Sequence, residues 1–167
     1  MEKEAILELR NIRKVFDKTV ALDSVSFSLY PGEIHGLLGG NGAGKTTLMN
    51  ILYGLYRKDE GEINFHGKKL NIQGPRDAID NKIGMVHQHF LQIGNYTVLE
   101  NIVLGTNVSH PGSMDLSAEA EKLVDLGKRF YLPVEPNAVV DTLPVGTRQK
   151  VEILKALYPG VEVLILD

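Results

Sequence analysis

Apolar and polar residues alternate with a period of two near the N-terminus, along Leu7-Glu8-Leu9-Arg10-Asn11-Ile12 and again along Val25-Ser26-Phe27-Ser28-Leu29. That period predicts two antiparallel strands with one covered face. Pro31-Gly32 marks a turn. The run Ile34-His35-Gly36-Leu37-Leu38 predicts a further strand, and Leu48, Met49, Ile51, Leu52 and Leu55 then follow helical spacing. Gly54 suits a left-handed cap for that helix. Asp59-Glu60-Gly61 reads as a turn, and the pairs Ile63/Phe65 and Leu70/Ile72 flank His66-Gly67 as a hairpin. Ile83 to His87 is a short buried strand.

The C-terminal half changes period. Thr97 caps a helix carrying Val98, Leu99, Ile102 and Val103, and His110-Pro111-Gly112-Ser113 is a loop. Asp115-Leu116-Ser117 starts a helix through Ala118, Leu123, Leu126 and Phe130, which Pro133 and Pro136 end. No strand separates these helices, so they read as an insertion beside a sheet. Leu143 to Lys150 opens another helix with Val151, Ile153, Leu154 and Leu157 on its buried side; Pro159-Gly160 stops it. Val163-Leu164-Ile165-Leu166 is an apolar strand ending in Asp167, expected in the middle of a mostly parallel sheet and buried on both faces.

Composition narrows the class. With 167 residues the expectation is one domain, and 43% hydrophobic residues suffice for a core. A net charge of −3 gives no global drive toward nucleic acid. The absence of cysteine excludes disulfides and thiolate metal sites. No apolar run approaches the roughly 18 residues of a membrane span, and the charged start Met1-Glu2-Lys3-Glu4 has no signal-peptide core. The expectation is a soluble protein that docks on a membrane only through partners.

The candidate chemistry centres on Gly39-Gly40-Asn41-Gly42-Ala43-Gly44-Lys45-Thr46-Thr47. Between an apolar run and a helix, this G-x-x-x-x-G-K-[ST] spacing is a phosphate cradle. Glycines let successive N–H groups turn inward toward an anion, and the helix adds the positive end of its dipole. Lys45 can reach β- and γ-phosphates and the Thr46 hydroxyl can ligate Mg²⁺. Phe16 is a core aromatic by position alone; beside a phosphate cradle it becomes a platform for a base. Gln88, after a core strand, is either a solvated loop residue or a ligand-facing one. His87 and His89 alternate but lack a third metal ligand. Asp167 has the position of a carboxylate that holds Mg²⁺ through water beside a phosphate loop.

Taken together these residues resemble the ATP-binding subunits of ABC transporters. Gly39–Thr47 matches Walker A, Phe16 the aromatic A-loop position, Gln88 the Q-loop glutamine, Leu143–Gln149 the LSGGQ-type signature and Leu164–Asp167 Walker B. Asn50-Ile51-Leu52-Tyr53-Gly54-Leu55-Tyr56 and Val151-Glu152-Ile153-Leu154-Lys155-Ala156-Leu157-Tyr158 resemble the bacterial simple-sugar and nucleoside importers, whose ATPases carry two such domains in tandem. The resemblance implies an α/β fold: a RecA-like P-loop NTPase core with an N-terminal antiparallel β subdomain and a helical insertion, cut short after the Walker B strand. It divides the chain into an ATP-binding core (1–96), a helical subdomain (97–145) and the signature helix with Walker B (146–167).

The same resemblance implies ATP and Mg²⁺ as cofactors. Lys45 and Gln88 are implied as catalytic, Thr46, Gln88 and Asp167 as metal-side residues, and Phe16, Gly39–Thr47 and the Gly146 N–H as nucleotide contacts. It further implies transmembrane permease subunits, a second ABC domain, an indirect solute-binding protein, no nucleic acid, and a peripheral place on the cytoplasmic face of the membrane. Rival expectations are a ribosome- or DNA-associated ABC ATPase, a small-metabolite kinase, and an ATP-binding module without turnover. Three departures stand out. Gly40 replaces the family's usual glutamate, Pro144 replaces the signature serine, and no glutamate follows Asp167. The last implies that these 167 residues alone bind ATP without hydrolysing it.

Overall fold

The computed structural model describes residues 4–88, 90–104 and 116–167. The chain forms two compact units, Met1–Asn81 and Lys82–Asp167.

The first unit is built on an antiparallel sheet. Strands β1 (Leu7–Phe16) and β2 (Thr19–Leu29) form a hairpin; β3 (Glu60–Phe65) and β4 (Lys68–Leu70) complete the order β2-β1-β3-β4. The alternation near the N-terminus does mark two strands, but both run further than it shows, through Val15–Leu22, to a tight turn at Asp17, φ 51°. Glu60 and Gly61 lie in β3 rather than in a turn. Gly61, at φ 90°, passes so close to β1 that a Cβ would stand 2.4 Å from the Asn11 carbonyl oxygen. The His66-Gly67 hairpin forms as expected, with positive φ at both turn residues. Helix α1 (Lys45–Leu52) buries Leu48, Ile51 and Leu52 and lies against β2. Gly54 follows it in the left-handed region, φ 84°. A short helix α2 (Pro75–Asp80) closes the unit.

One expected strand is absent. Ile34–Leu38 takes no regular structure, and Ile34 and Leu38 are 100% and 97% exposed. A strand needs a hydrogen-bonded neighbour, and no described strand pairs with this stretch.

The second unit contains a parallel pair, β5 (Ile83–Val86) and β6 (Val163–Leu166), in register Val86↔Leu166. β6 is not flanked on both sides as expected: β5 is its single described neighbour, and Leu166 is 70% exposed. Helices α3 (Val98–Val103), α4 (Leu116–Arg129) and α5 (Val145–Leu157) share a core of Val98, Leu99, Ile102, Val103, Leu123, Val140, Val151, Leu154 and Tyr158. The insertion is therefore helical as read. Asp115 and the loop at 110–113 lie outside the described residues. On α5, Ile153 and Leu157 are half-buried, whereas Glu152 is buried. Pro144 precedes α5 as its N-cap. Among the described residues no helix is long and apolar enough to cross a membrane.

Two polar devices fix the N-terminal end of α3. Thr97 and Glu100 form a reciprocal capping box: the Glu100 N–H donates to Thr97 Oγ1 at 3.2 Å, and Glu100 Oε2 accepts the Thr97 N–H at 2.7 Å. Asn101, 2% exposed, accepts the Ile93 N–H at 2.7 Å and donates to the carbonyls of Ile93 and Thr97 at 3.0 Å each.

The box makes a pH prediction. The Thr97 N–H, then its hydroxyl, hold the Glu100 carboxyl below its ordinary value. A carboxyl lowered in the folded state stabilises above its unfolded value and loses that contribution as pH falls through the folded value. Thr97→Ala should cost about 1 kcal/mol at neutral pH. Glu100→Gln should flatten the acid limb of the stability profile, measured by denaturant unfolding between neutral pH and pH 3.

Candidate functional site

The loop is exposed from Gly39 to Ala43 and runs through the half-buried Gly44 into α1. Gly42 and Gly44 are left-handed, at φ 80° and 86°. Alternating left- and right-handed residues turn successive N–H groups to one side, the geometry of an anion nest. The Lys45 ammonium arches back over the loop and donates to the carbonyls of Gly39 at 2.8 Å and Gly40 at 2.9 Å. A cation, inward-turning amides and a helix N-terminus thus converge on one short segment.

The four glycines are not equivalent. A Cβ on Gly44 would stand 2.5 Å from the Ala21 carbonyl oxygen and 2.7 Å from Leu22 Cδ2, so the loop ends in direct contact with β2. A Cβ on Gly39 would stand 3.1 Å from that of Ala43. Gly40 and Gly42 face open space. Asn41, Ala43 and Thr46 are exposed or nearly so, and Thr47 is half-buried in the first turn of α1.

Phe16 ends β1, opposite Thr19. Thr19 is two residues from Ala21, the residue Gly44 touches, a distance of about 7 Å along a strand. The Phe16 ring and the loop therefore share one end of the hairpin. The ring is 38% exposed, meets Tyr56 edge-on at 5.2 Å between centroids, and has the Lys14 ammonium 5.2 Å from its centre. Asp59 fixes this corner. It accepts from Lys14 Nζ at 2.8 Å and from the Val15 N–H at 2.7 Å, contacts that hold its carboxyl below the usual range.

In the second unit, Gln88 and Asp167 leave the carboxyl ends of adjacent parallel strands. Val86 pairs with Leu166, and the Asp167 N–H donates to the Val86 carbonyl at 3.2 Å. The fold thus brings an exposed amide and a carboxylate to one strand edge, where open α/β sheets bind ligands. Gly146 lies in the exposed first turn of α5 with open space around it. The Thr147 and Arg148 N–H groups bond to the Pro144 carbonyl at 2.9 and 3.0 Å. His89 lies outside the described residues, and no cluster of three His, Cys, Asp or Glu able to hold a metal occurs among those described.

Sequence reading missed Tyr56 as the ring against Phe16, and Arg148, Glu152 and Lys155, which grip the segment after Gln88. The spacing 148, 152, 155 marks one helix face, but nothing local says what that face meets.

The glycine-rich loop running into α1 is that of a P-loop NTPase core. The family model described as ABC transporter matches residues 22–167, and the chain belongs to that family. It is 47% identical over 167 residues to the nucleoside import ATP-binding protein NupA of Lactococcus lactis subsp. cremoris, covering 100% of this chain and 33% of that protein. It is 45% identical to the guanosine import ATP-binding protein NupO of Bacillus subtilis, covering 98% of this chain and 32% of that one. The chain therefore spans about a third of the length of these relatives. Among solved structures, a nucleotide-free ATP-binding cassette from an ABC transporter superposes with TM-score 0.82 at 28% identity, covering 98% of this chain and 69% of that one.

The contrast between glycines is testable. Gly44→Ala should lose about 1–3 kcal/mol through backbone strain, with the clash against Ala21 adding to it. Gly40→Ala should stay within about 0.5 kcal/mol of the parent. Denaturant unfolding of both variants measures the difference; equal losses would contradict the packing described.

Proposed function

We propose that this chain is the nucleotide-binding core of an ATPase that powers an importer of nucleosides or simple sugars. The observation that carries the reading is the Gly39–Thr47 loop, with Lys45 folded over left-handed glycines at the start of α1. The likeness to nucleoside and guanosine import ATP-binding proteins supports the choice of solute class.

In this reading the loop amides and Lys45 bind the phosphates of ATP, and Phe16 stacks on its base. The Thr46 hydroxyl, the Gln88 amide and the Asp167 carboxylate are hard oxygen donors of the kind Mg²⁺ takes. Bound Mg²⁺ would neutralise charge on the β- and γ-phosphates. Lys45 shares that role, and Gln88 orients the attacking water. Gly146 offers its N–H to a nucleotide held by a second ABC domain, with residues 97–145 as the helical subdomain between the core and the signature helix. Permease subunits, and through them a solute-binding protein, are the further partners, with the ATPase peripheral on the cytoplasmic face of the membrane.

Calorimetry tests the binding site. Lys45→Ala removes a charge-assisted contact worth about 1.5–3 kcal/mol and should weaken ATP binding roughly 10- to 100-fold. Phe16→Ala should weaken ATP and ADP alike, by about 1–3 kcal/mol. Unchanged affinity in both variants would overturn the assignment.

Turnover is the second test. A polypeptide ending at Asp167 has no carboxylate after it to act as base, and Pro144 offers no hydroxyl. A general base typically contributes about 10²–10⁴-fold, and one preorganised donor about 10²–10³-fold. The two need not multiply, because both act on one transition state. Such a polypeptide should bind Mg-ATP and release phosphate at background rate. Extension by a glutamate and the sequence beyond it should restore turnover, and Pro144→Ser should raise it further. Robust phosphate release by the 167-residue polypeptide, abolished by Lys45→Ala, would show that the base lies elsewhere.

A further inference from the structure

The segment after Gln88 is tethered by one stripe of α5. Leu91 has both backbone groups taken up by side chains of that helix: its N–H donates to Glu152 Oε1 at 3.1 Å, and its carbonyl accepts from Lys155 Nζ at 2.9 Å. Gln92 and Arg148 bond reciprocally, Gln92 Nε2 to the Arg148 carbonyl at 2.8 Å and Arg148 Nε to Gln92 Oε1 at 3.3 Å. The Arg148 guanidinium also lies 5.4 Å from the centre of the Phe90 ring. Residues 148, 152 and 155 are spaced i, i+4 and i+7, so they form a single line along the helix. Asn101 then takes the N–H and carbonyl of Ile93.

The burial of Glu152 is the informative part. A carboxylate 6% exposed is costly unless it is bonded, and here it bonds to a loop backbone rather than to a neighbour on its own helix. Gln88 lies two residues beyond the end of β5 at Val86 and three before the tether at Leu91, at most about 11 Å of chain from the tether.

Resting on the nucleotide-binding reading above, we propose that Glu152, with Arg148 and Lys155 beside it, is a positioning residue for Gln88. By fixing Leu91 and Gln92 to α5, it sets where the Gln88 amide stands beside Asp167 at the ends of β5 and β6, the two groups of this unit read above as Mg²⁺ donors. Glu152 itself touches no reacting atom.

The test measures ATP affinity of the 167-residue chain by calorimetry with Mg²⁺ and again with EDTA, in the parent, Lys45→Ala, Gln88→Ala, Glu152→Ala, Glu152→Gln, Gln92→Ala and the double variant Gln88→Ala/Glu152→Ala. Thermal midpoints are recorded for each. Glu152→Ala and Gln88→Ala should each cut the gain in affinity due to Mg²⁺ by about 10-fold or more, the usual cost of losing an outer-shell partner, while affinity in EDTA stays near the parent value. The double variant should lose no more than the worse single one, because the two residues act as one unit. Glu152→Gln keeps an oxygen acceptor for the Leu91 N–H and should restore most of the gain. Gln92→Ala, at a less buried position, should give an intermediate loss with an unchanged thermal midpoint.

The outcomes separate the two levels. If Lys45→Ala leaves ATP binding intact, the nucleotide-site reading itself fails. If Lys45→Ala abolishes binding but Glu152→Ala and Gln92→Ala lower only the thermal midpoint and leave the Mg²⁺ gain alone, the tether is purely structural and the proposal is overturned. Additive losses in the double variant, or a Mg²⁺ gain indifferent to Gln88→Ala, overturn it equally.

Discussion

The close approach of Gly44 to β2 is the constraint on which the first unit depends. With no side chain at 44, the loop can end against the Ala21 carbonyl and α1 can start there. That contact puts the amides of the loop, the N-terminal end of the helix and the Lys45 ammonium at the end of the hairpin where Phe16 stands. A positive locus is thereby built mostly from backbone, so it needs few charged side chains and is compatible with a net charge of −3. The conformational cost of left-handed glycines is offset by the packing of Leu48, Ile51 and Leu52 below them.

The second unit solves a different problem. Its parallel pair ends in an exposed amide and a carboxylate, and the connection that leaves it has no sheet of its own to pair with. Leu91 to Ile93 is instead bonded by side chains, from Glu152, Lys155 and Arg148 on one helix and from Asn101 on another. A loop held by buried polar groups takes one place rather than many, because leaving any partner unmade is expensive. Helix, loop and strand edge are thus linked through a few identifiable bonds.

What the sequence disclosed follows from the range of the forces involved. The P-loop, the His66-Gly67 hairpin, the Thr97 cap and the apolar face of α3 are local features, set within a few residues, and each was legible. The run Ile34–Leu38 looked like a strand because strand character is read from apolarity, whereas strand formation needs a neighbour that the pattern does not specify. For the same reason β6 could be recognised but its single described partner could not. Gly61 was read as a turn residue; it lies in β3, where its left-handed conformation serves a close crossing over β1. The role of Glu152 was not legible, since the Leu91 N–H it accepts lies 61 residues away.

The central claim is that residues 39–47 hold phosphate through their backbone. Backbone amide resonances of the isotopically labelled chain, followed by NMR during titration with ATP and separately with inorganic triphosphate, test it directly. Both titrants should shift the Gly42, Gly44, Lys45 and Thr46 amides, while the Phe16 and Tyr56 rings respond to ATP alone. If ATP binds and these amides stay in place while signals elsewhere move, the loop is not the phosphate site and the account fails at its foundation.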